Sequence, residues 1–223
     1  MIHDGHRERL RKKVEMGATE PHEKVEMMLF LSRPRVDTNG IAHELLARFG
    51  GIHGLFHKDV DTLMGVNGVG QTTALHIRNV AQIIREYNIS ECHTAELLKS
   101  DIELFKYLRA LFTGACNELT YMLMFSEKDK FIGYKKIGEG SYRENTVIIR
   151  PALVFAKKNG AKKVIIAHNH PDGIAIASDY DIETAKKMSV AFGNFDITIL
   201  DHFVVADGRC IRFMDKNKNR RKV

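Results

Sequence analysis

An apolar run that ends in two histidines constrains the fold more than any other segment of this chain. Lys163-Val-Ile-Ile-Ala167 is short, apolar and rich in β-branched residues, which predicts a buried strand. His168 and His170 follow directly, and in an extended chain residues two apart project to the same side. A loop then leads to Ser178, which predicts the N-cap of a helix running to about Gly193. This unit therefore places two imidazoles side by side where a buried strand ends.

The first turn of the predicted helix supplies a third group that can bind a metal ion. Asp181 follows Ser178 in that turn and returns a carboxylate towards the histidines. Two neutral nitrogens and one carboxylate oxygen leave the fourth tetrahedral position open for water, as in catalytic zinc sites. Zinc lowers the pKa of such a water towards neutrality. The spacing therefore predicts that His168, His170 and Asp181 can hold one metal ion in an arrangement that suits catalytic zinc.

Parts of this pattern also have a purely structural interpretation. Ser178 and Asp181 match a capping box, and a helix start can act as a cap and position a ligand at the same time. A lone pair such as His168 and His170 is more often a surface or packing feature than a ligand pair. The strand, the His-x-His-Pro motif and the Ser-x-x-Asp motif together meet several independent requirements. We therefore favour the metal site over coincidence.

The segments around this unit predict a mixed α/β or α+β domain over residues 101–223, because strands are expected before, between and after helices. Helix starts are predicted at Ser100, Pro151 and Ser178. The predicted strands cover residues 119–125, 131–137, 163–167, 197–200, 203–205 and 209–213. Between two of them, His202 is interpreted as a hydrogen-bonded core histidine in preference to a residue that orients a metal ligand.

Residues 1–92 predict a separate helical domain, which the polar residues 88–100 would link to the second domain. Within it, Gly68, Val69 and Gly70 fit the turn of a helix-hairpin-helix motif, in which two glycines flank an apolar residue. The backbone amides of such a turn can face a DNA phosphate without reading base sequence. Many hairpins of this kind serve only as joints between helices. Both interpretations stay open at this point.

The net charge of +6 is concentrated at the C-terminal end. Residues 209–223 hold seven basic residues and one acid, so the remainder of the chain is balanced. A basic terminus of this kind is usually a solvated end, although it can add contacts to DNA phosphates. We find no secretory signal and no long apolar run, and we expect a cytoplasmic protein without a membrane-spanning segment.

The motifs in both halves resemble a known family. His-x-His-Pro, six residues and Ser-x-x-Asp are similar to the JAMM signature of JAB1/MPN metalloproteins, and His168-Asn-His-Pro171 with Leu200-Asp-His202 resembles the RadC branch in particular. Segments of the helical half, Gly5 to Leu10, Leu45 to Gly51 and Val66 to Gly70, also resemble RadC proteins. The resemblance implies an MPN fold related to cytidine deaminases, and zinc held by His168, His170 and Asp181. It further implies that the Ser178 hydroxyl stabilises an oxyanion or orients the water.

The sequence departs from this family at the acid that moves the proton. JAMM hydrolases use an upstream glutamate to take a proton from the zinc-bound water and deliver it to the leaving amine. Lys135 and Lys136 occupy the stretch where the resemblance leads us to expect this acid. Glu139 is the nearest candidate and Glu144 a weaker one, and an exposed acid at a strand end is an equally acceptable interpretation of Glu139.

Three functions of different classes follow from these observations. The first is a zinc-dependent hydrolase, similar to a metallopeptidase, that acts on a protein or peptide whose identity the sequence does not give. The second is a DNA-associated accessory factor in repair or replication, which binds without regard to sequence through the hairpin and the basic C-terminal tail. The third is a metal-binding pseudoenzyme, which the lysines in the expected glutamate stretch favour.

Overall fold

The computed structural model describes residues 2–33, 36–140, 149–171 and 173–213. The chain divides into two compact units, residues 1–85 and 86–223, and the division falls inside one long helix. Glu144 and residues 214–223, which include most of the basic tail, lie outside the described residues. No helix in the described part of the chain is long and apolar enough to cross a membrane.

The first unit is helical, as the sequence predicts. Its helices are α1 (Ile2–Glu15), α2 (Pro21–Ser32), α3 (Asn39–Phe49), α4 (Ile52–Phe56), α5 (Val60–Met64) and α6 (Gln71–Ser90), the last of which continues into the second unit. Gly50 ends α3 in the left-handed conformation that glycine adopts without a steric penalty. The Asp59 side chain caps α5 by accepting a hydrogen bond from the Thr62 amide at 2.7 Å. The apolar faces of α2 to α6 enclose one core that includes Leu45 and Ile77.

The second unit is built on a five-stranded sheet. Its elements are α7 (Asp101–Leu111), β1 (Glu118–Phe125), β2 (Phe131–Gly140), α8 (Ile149–Lys158), β3 (Lys163–Asn169), α9 (Asp179–Gly193), β4 (Thr198–Ala206) and β5 (Arg209–Arg212). The strand order is β2-β1-β3-β4-β5. Strands β3 and β4 run parallel, whereas the other three pairs are antiparallel. This mixed sheet with its helices confirms the predicted α+β class.

The two faces of the sheet carry separate cores, because successive side chains of a strand point to opposite sides. In β3, Ile165 and Ala167 pack with the α7 core, whereas Val164 and Ile166 pack with α8 and α9. His168 continues the second series and therefore faces α9. This alternation decides which residues of the neighbouring strand β1 can reach the histidines.

Two predictions about the second unit need correction. The strands predicted at 197–200 and 203–205 are one strand, β4, because Asp201 and His202 lie buried within it instead of forming a turn. Asp201 is compensated there by an ion pair with Arg212 of β5, with Oδ2 and Nε 2.5 Å apart. The polar segment 88–100 also does more than link domains, since its Cys92 and Leu97 belong to the core beneath α7.

Candidate functional site

Ser178 and Asp181 form the capping box that begins α9. The Ser178 hydroxyl accepts a hydrogen bond from the Asp181 amide at 3.2 Å, and the Ser178 amide donates to Asp181 Oδ2 at 2.7 Å. The same hydroxyl donates to Asp181 Oδ2 at 2.6 Å. The hydroxyl oxygen therefore caps the helix, while the hydroxyl hydrogen and the Ser178 amide orient the Asp181 carboxylate.

The two histidines present the same ring atom to this carboxylate. His168 Nε2 lies 3.3 Å from Asp181 Oδ1, and His170 Nε2 lies 3.7 Å from Oδ2. The two Nε2 atoms are 3.1 Å apart, and both rings are buried. His170 Nδ1 lies 3.2 Å from the Ile174 carbonyl oxygen. Because a carbonyl only accepts, a hydrogen bond at this contact requires the proton on Nδ1, and Nε2 then has a lone pair for a metal ion.

These separations fit the geometry of one bound ion. Ligands held about 2.0–2.2 Å from a tetrahedral ion lie about 3.3–3.6 Å from one another. The observed separations of 3.1, 3.3 and 3.7 Å scatter around that value. The predicted ligands His168, His170 and Asp181 are therefore brought together as one group that can hold a metal ion.

Glu118 completes this group, and sequence reasoning missed it. One ligand atom from each of Glu118, His168, His170 and Asp181 lies within 4.8 Å of the other three. Glu118 begins β1, two positions before Thr120, which pairs with His168 across the β1/β3 ladder. It consequently faces the same side of the sheet as His168. The signal in the sequence was a single acid at the start of an apolar strand, but without the strand pairing it pointed to no partner.

Glu139 lies on the opposite face of the sheet from the metal-binding group. It pairs with Leu119 in the β1/β2 ladder, and cross-strand partners share a face of the sheet. Leu119 packs against the α7 core, so Glu139 points to the side opposite His168. Its half-exposed carboxylate forms an ion pair with Lys136, which lowers its pKa below the usual value. The structure does not bring Glu139 to the metal-binding group.

The electrostatics of Asp181 suit a metal ligand. Burial raises the pKa of this carboxyl, but the opposing effects of His168 and of the Ser178 hydroxyl and amide are larger in sum. The pKa of Asp181 therefore lies well below its usual range. The carboxylate stays ionised at neutral pH, which metal ligation requires.

A small cavity of about 20 Å³ lies beside Glu118 and His168. A volume of about 10–15 Å³ holds one water molecule, so the cavity has room for one next to the Glu118 carboxylate. His202 and Phe213 form part of its wall. The Phe213 ring contacts both imidazoles, with centroids 5.9 Å from His168 and 5.6 Å from His202. His202 is buried, as a core histidine is expected to be.

The hairpin residues occupy a second, open site in the helical unit. Gly68 has a φ of +83°, and a Cβ there would come within 2.8 Å of Ile41 Cδ1, so this position requires glycine. The Val69 side chain is buried in the helical core. Backbone of Gly68 and Gly70 lines a groove of about 420 Å³, and the Arg33 side chain lines it as well.

The chain is similar in sequence to several UPF0758 proteins. A UPF0758 protein of Cellvibrio japonicus is 29% identical over 176 residues, which is 79% of each chain. A UPF0758 protein of Halorhodospira halophila is 30% identical over 176 residues, again 79% of each chain. One of Leptothrix cholodnii is 28% identical over 194 residues, 86% of this chain and 87% of its own.

A family model described as the RadC-like JAB domain matches residues 98–219. The matched range contains the four residues of the metal-binding group and every strand of the sheet described above. It also covers more than half of the chain. The four-residue group, the mixed sheet and this match lead to one conclusion: the chain belongs to the RadC family and carries a RadC-like JAB domain.

Proposed function

We propose that this protein is a zinc-dependent hydrolase that cleaves an amide or a related carbonyl bond. His168, His170 and Asp181 hold the ion, and the preference for zinc follows from a set of two nitrogens and one oxygen with room for water. Bound zinc supplies a water of lowered pKa and polarises the substrate carbonyl.

Glu118 moves the proton in this proposal. Its carboxylate is close enough to the ligand atoms to accept a proton from a water in the open position. The same carboxyl then donates that proton to the leaving amine. Ser178 orients Asp181 through its hydroxyl and its amide. In this proposal the hydroxyl also stabilises the oxyanion, for which it first turns away from Asp181.

The single observation that carries the proposal is the position of Glu118. The side chain is buried, with 6% of the residue exposed, although it makes no part of the apolar core. Its carboxylate belongs to the same group as the three proposed ligands and lies beside a cavity with room for one water molecule. The pseudoenzyme hypothesis depended on the lack of a positioned acid near Lys135 and Lys136, and Glu118 removes that premise.

The proposal is tested with zinc-loaded protein and a mixture of peptides of known sequence, with cleavage followed by mass spectrometry. We expect products that are absent after chelation, that return with zinc, and that Asp181→Ala protein does not form. DNA duplexes and forks are screened in parallel. Cleavage that persists equally in Asp181→Ala protein would contradict the proposal.

A second candidate function, binding of a nucleic-acid backbone by the helical unit, is favoured by Arg33. The hairpin has Gln71 to Thr73 where a basic residue would help, and the unit as a whole has no strong positive charge. Arg33 supplies the missing positive charge. Its Nη1 lies in the groove, 3.5 Å from the point that a Cβ would occupy if Gly68 had one. An arginine beside glycine backbone is suited to a phosphate group. The basic tail would add phosphate contacts in this proposal.

A further inference from the structure

The segment of residues 173–177, between the ligands His170 and Asp181, exposes two large apolar side chains to solvent. Ile174 is 74% exposed and Ile176 67% exposed, whereas Ala175 between them is buried. Single exposed apolar residues are common and need no explanation. Two isoleucines that flank a buried alanine beside a metal-binding group form an apolar surface next to the reactive position.

Hydrogen bonds hold this segment in place. The Ile174 carbonyl oxygen accepts from the Ile176 amide at 2.7 Å, and it also lies 3.2 Å from His170 Nδ1. The first contact forms a tight turn around Ala175. The second joins the segment to a metal ligand. The outward direction of both isoleucines is therefore a consequence of the same backbone contacts that orient His170.

A third apolar side chain stands on the other side of Ser178. Tyr180 is exposed in the first turn of α9 and also lines the small cavity with Glu118, His168 and Asp181. Its ring offers a large apolar area with a polar tip. Exposed apolar side chains thus lie on both sides of Ser178, the N-cap of α9: Ile174 and Ile176 before it and Tyr180 after it.

We infer that Ile174 and Ile176, with Tyr180, bind the apolar side chain of the substrate residue that supplies the scissile carbonyl. This inference rests on the proposed function, since it names the substrate class of the same site. A carbonyl bound at the ion would have its substituents near this segment, because the segment joins the ligands His170 and Asp181 and its Ile174 carbonyl oxygen lies 3.2 Å from His170 Nδ1. Covering these isoleucines removes apolar surface from water, which favours an aliphatic or aromatic group over a polar one.

Binding of small hydroxamates to the zinc-loaded protein tests this inference without relying on turnover. Leucine hydroxamate and asparagine hydroxamate share the metal-binding group and have side chains of similar shape but different polarity. We expect leucine hydroxamate to bind about tenfold more tightly, as measured by isothermal titration calorimetry. The Ile174→Ser/Ile176→Ser protein should bind both about equally.

Val190→Ser is the matched control, because Val190 on the outer face of α9 is also 67% exposed. This variant should keep the preference, and Ile174→Val/Ile176→Val should keep most of it. Equal binding of both hydroxamates by the unsubstituted protein overturns the inference and leaves the metal site intact. A preference that survives in the double serine variant overturns it as well. If neither hydroxamate binds to zinc-loaded protein, the proposed function fails and the inference with it.

Discussion

Glu118 and His168 belong to adjacent strands, and the register of those strands brings their side chains into one group. Thr120 pairs with His168, and Glu118 stands two positions earlier on the same face. A ligand atom of each lies within 4.8 Å of the other. The acid that the sequence alone did not assign is therefore provided by antiparallel pairing of β1 with β3.

Substitution of each candidate acid by glutamine separates the roles of Glu118 and Glu139. Glu118→Gln should retain the metal and lower kcat by about 10²–10⁴, because the amide can no longer accept and deliver the proton. Glu139→Gln should change kcat by less than about threefold, since that side chain faces the other side of the sheet. Steady-state kinetics on any substrate from the peptide screen, with metal content measured for each variant, decides between them. A large loss in Glu139→Gln alone would reverse the assignment.

Removal of both histidines should abolish metal binding. The His168→Ala/His170→Ala protein should contain less than about one tenth of the zinc of the unsubstituted protein by elemental analysis, because the remaining carboxylates, Asp181 and Glu118, offer the ion no nitrogen ligand. His93→Ala, at an exposed position, is the control and should keep its metal. Chelation should also lower the Tm of the unsubstituted protein, since an ion that binds only the folded state stabilises it. Equal zinc in all three proteins would refute the site.

Loss of the Ser178 hydroxyl should affect both the helix and the ion. Ser178→Ala should lower the free energy of unfolding by about 1 kcal/mol through loss of the cap, and weaken metal binding about tenfold or more because Asp181 is less well oriented. Ser178→Thr should preserve most of both properties. Urea unfolding and competition with a chromogenic chelator measure the two effects. An unchanged metal affinity in Ser178→Ala would mean that the hydroxyl serves the helix only.

The lowered pKa of Asp181 predicts how its contribution to stability depends on pH. In metal-free protein, the folded state holds the pKa of Asp181 below its ordinary value of 3.8, so the ionised carboxylate stabilises the fold at neutral pH. This contribution is lost as the pH falls below about 4, through the folded-state pKa. The difference in unfolding free energy between the unsubstituted protein and Asp181→Asn should therefore shrink between pH 5 and pH 3 in urea titrations. A difference that grows on acidification would contradict the direction of the shift.

Arg33 should contribute to DNA binding if the hairpin holds a phosphate. Arg33→Gln should weaken binding of a labelled duplex uniformly across sequences and reduce the slope of log K against log salt by about 1, the value for one phosphate contact. Arg11→Gln, at an exposed position on α1, is the control. Fluorescence anisotropy over a range of salt concentrations gives both quantities. Deletion of residues 214–223 tests the tail in the same assay, and unchanged binding there would exclude it.

The ligands His168, His170 and Asp181 could be predicted from the sequence because they belong to one continuous strand, loop and helix. Their relative placement depends on strand alternation and on a helix cap, both of which are local properties. The helical nature of the first unit and the basic C-terminal end were predictable for the same reason, since periodicity and charge are read along the chain. Predicting these features required no knowledge of which helices and strands pack against one another.

Tertiary structure alone decided the remainder of the site. Glu118 reaches the histidines through the register of β1 on β3, and Arg33 reaches Gly68 through the packing of the helical unit. The continuity of β4 through Asp201 depends likewise on its ion pair with Arg212 of the neighbouring strand. Each of these is a contact between residues distant in sequence. Strand register and helix packing are set by the burial of whole faces, and a short sequence pattern does not specify which face meets which.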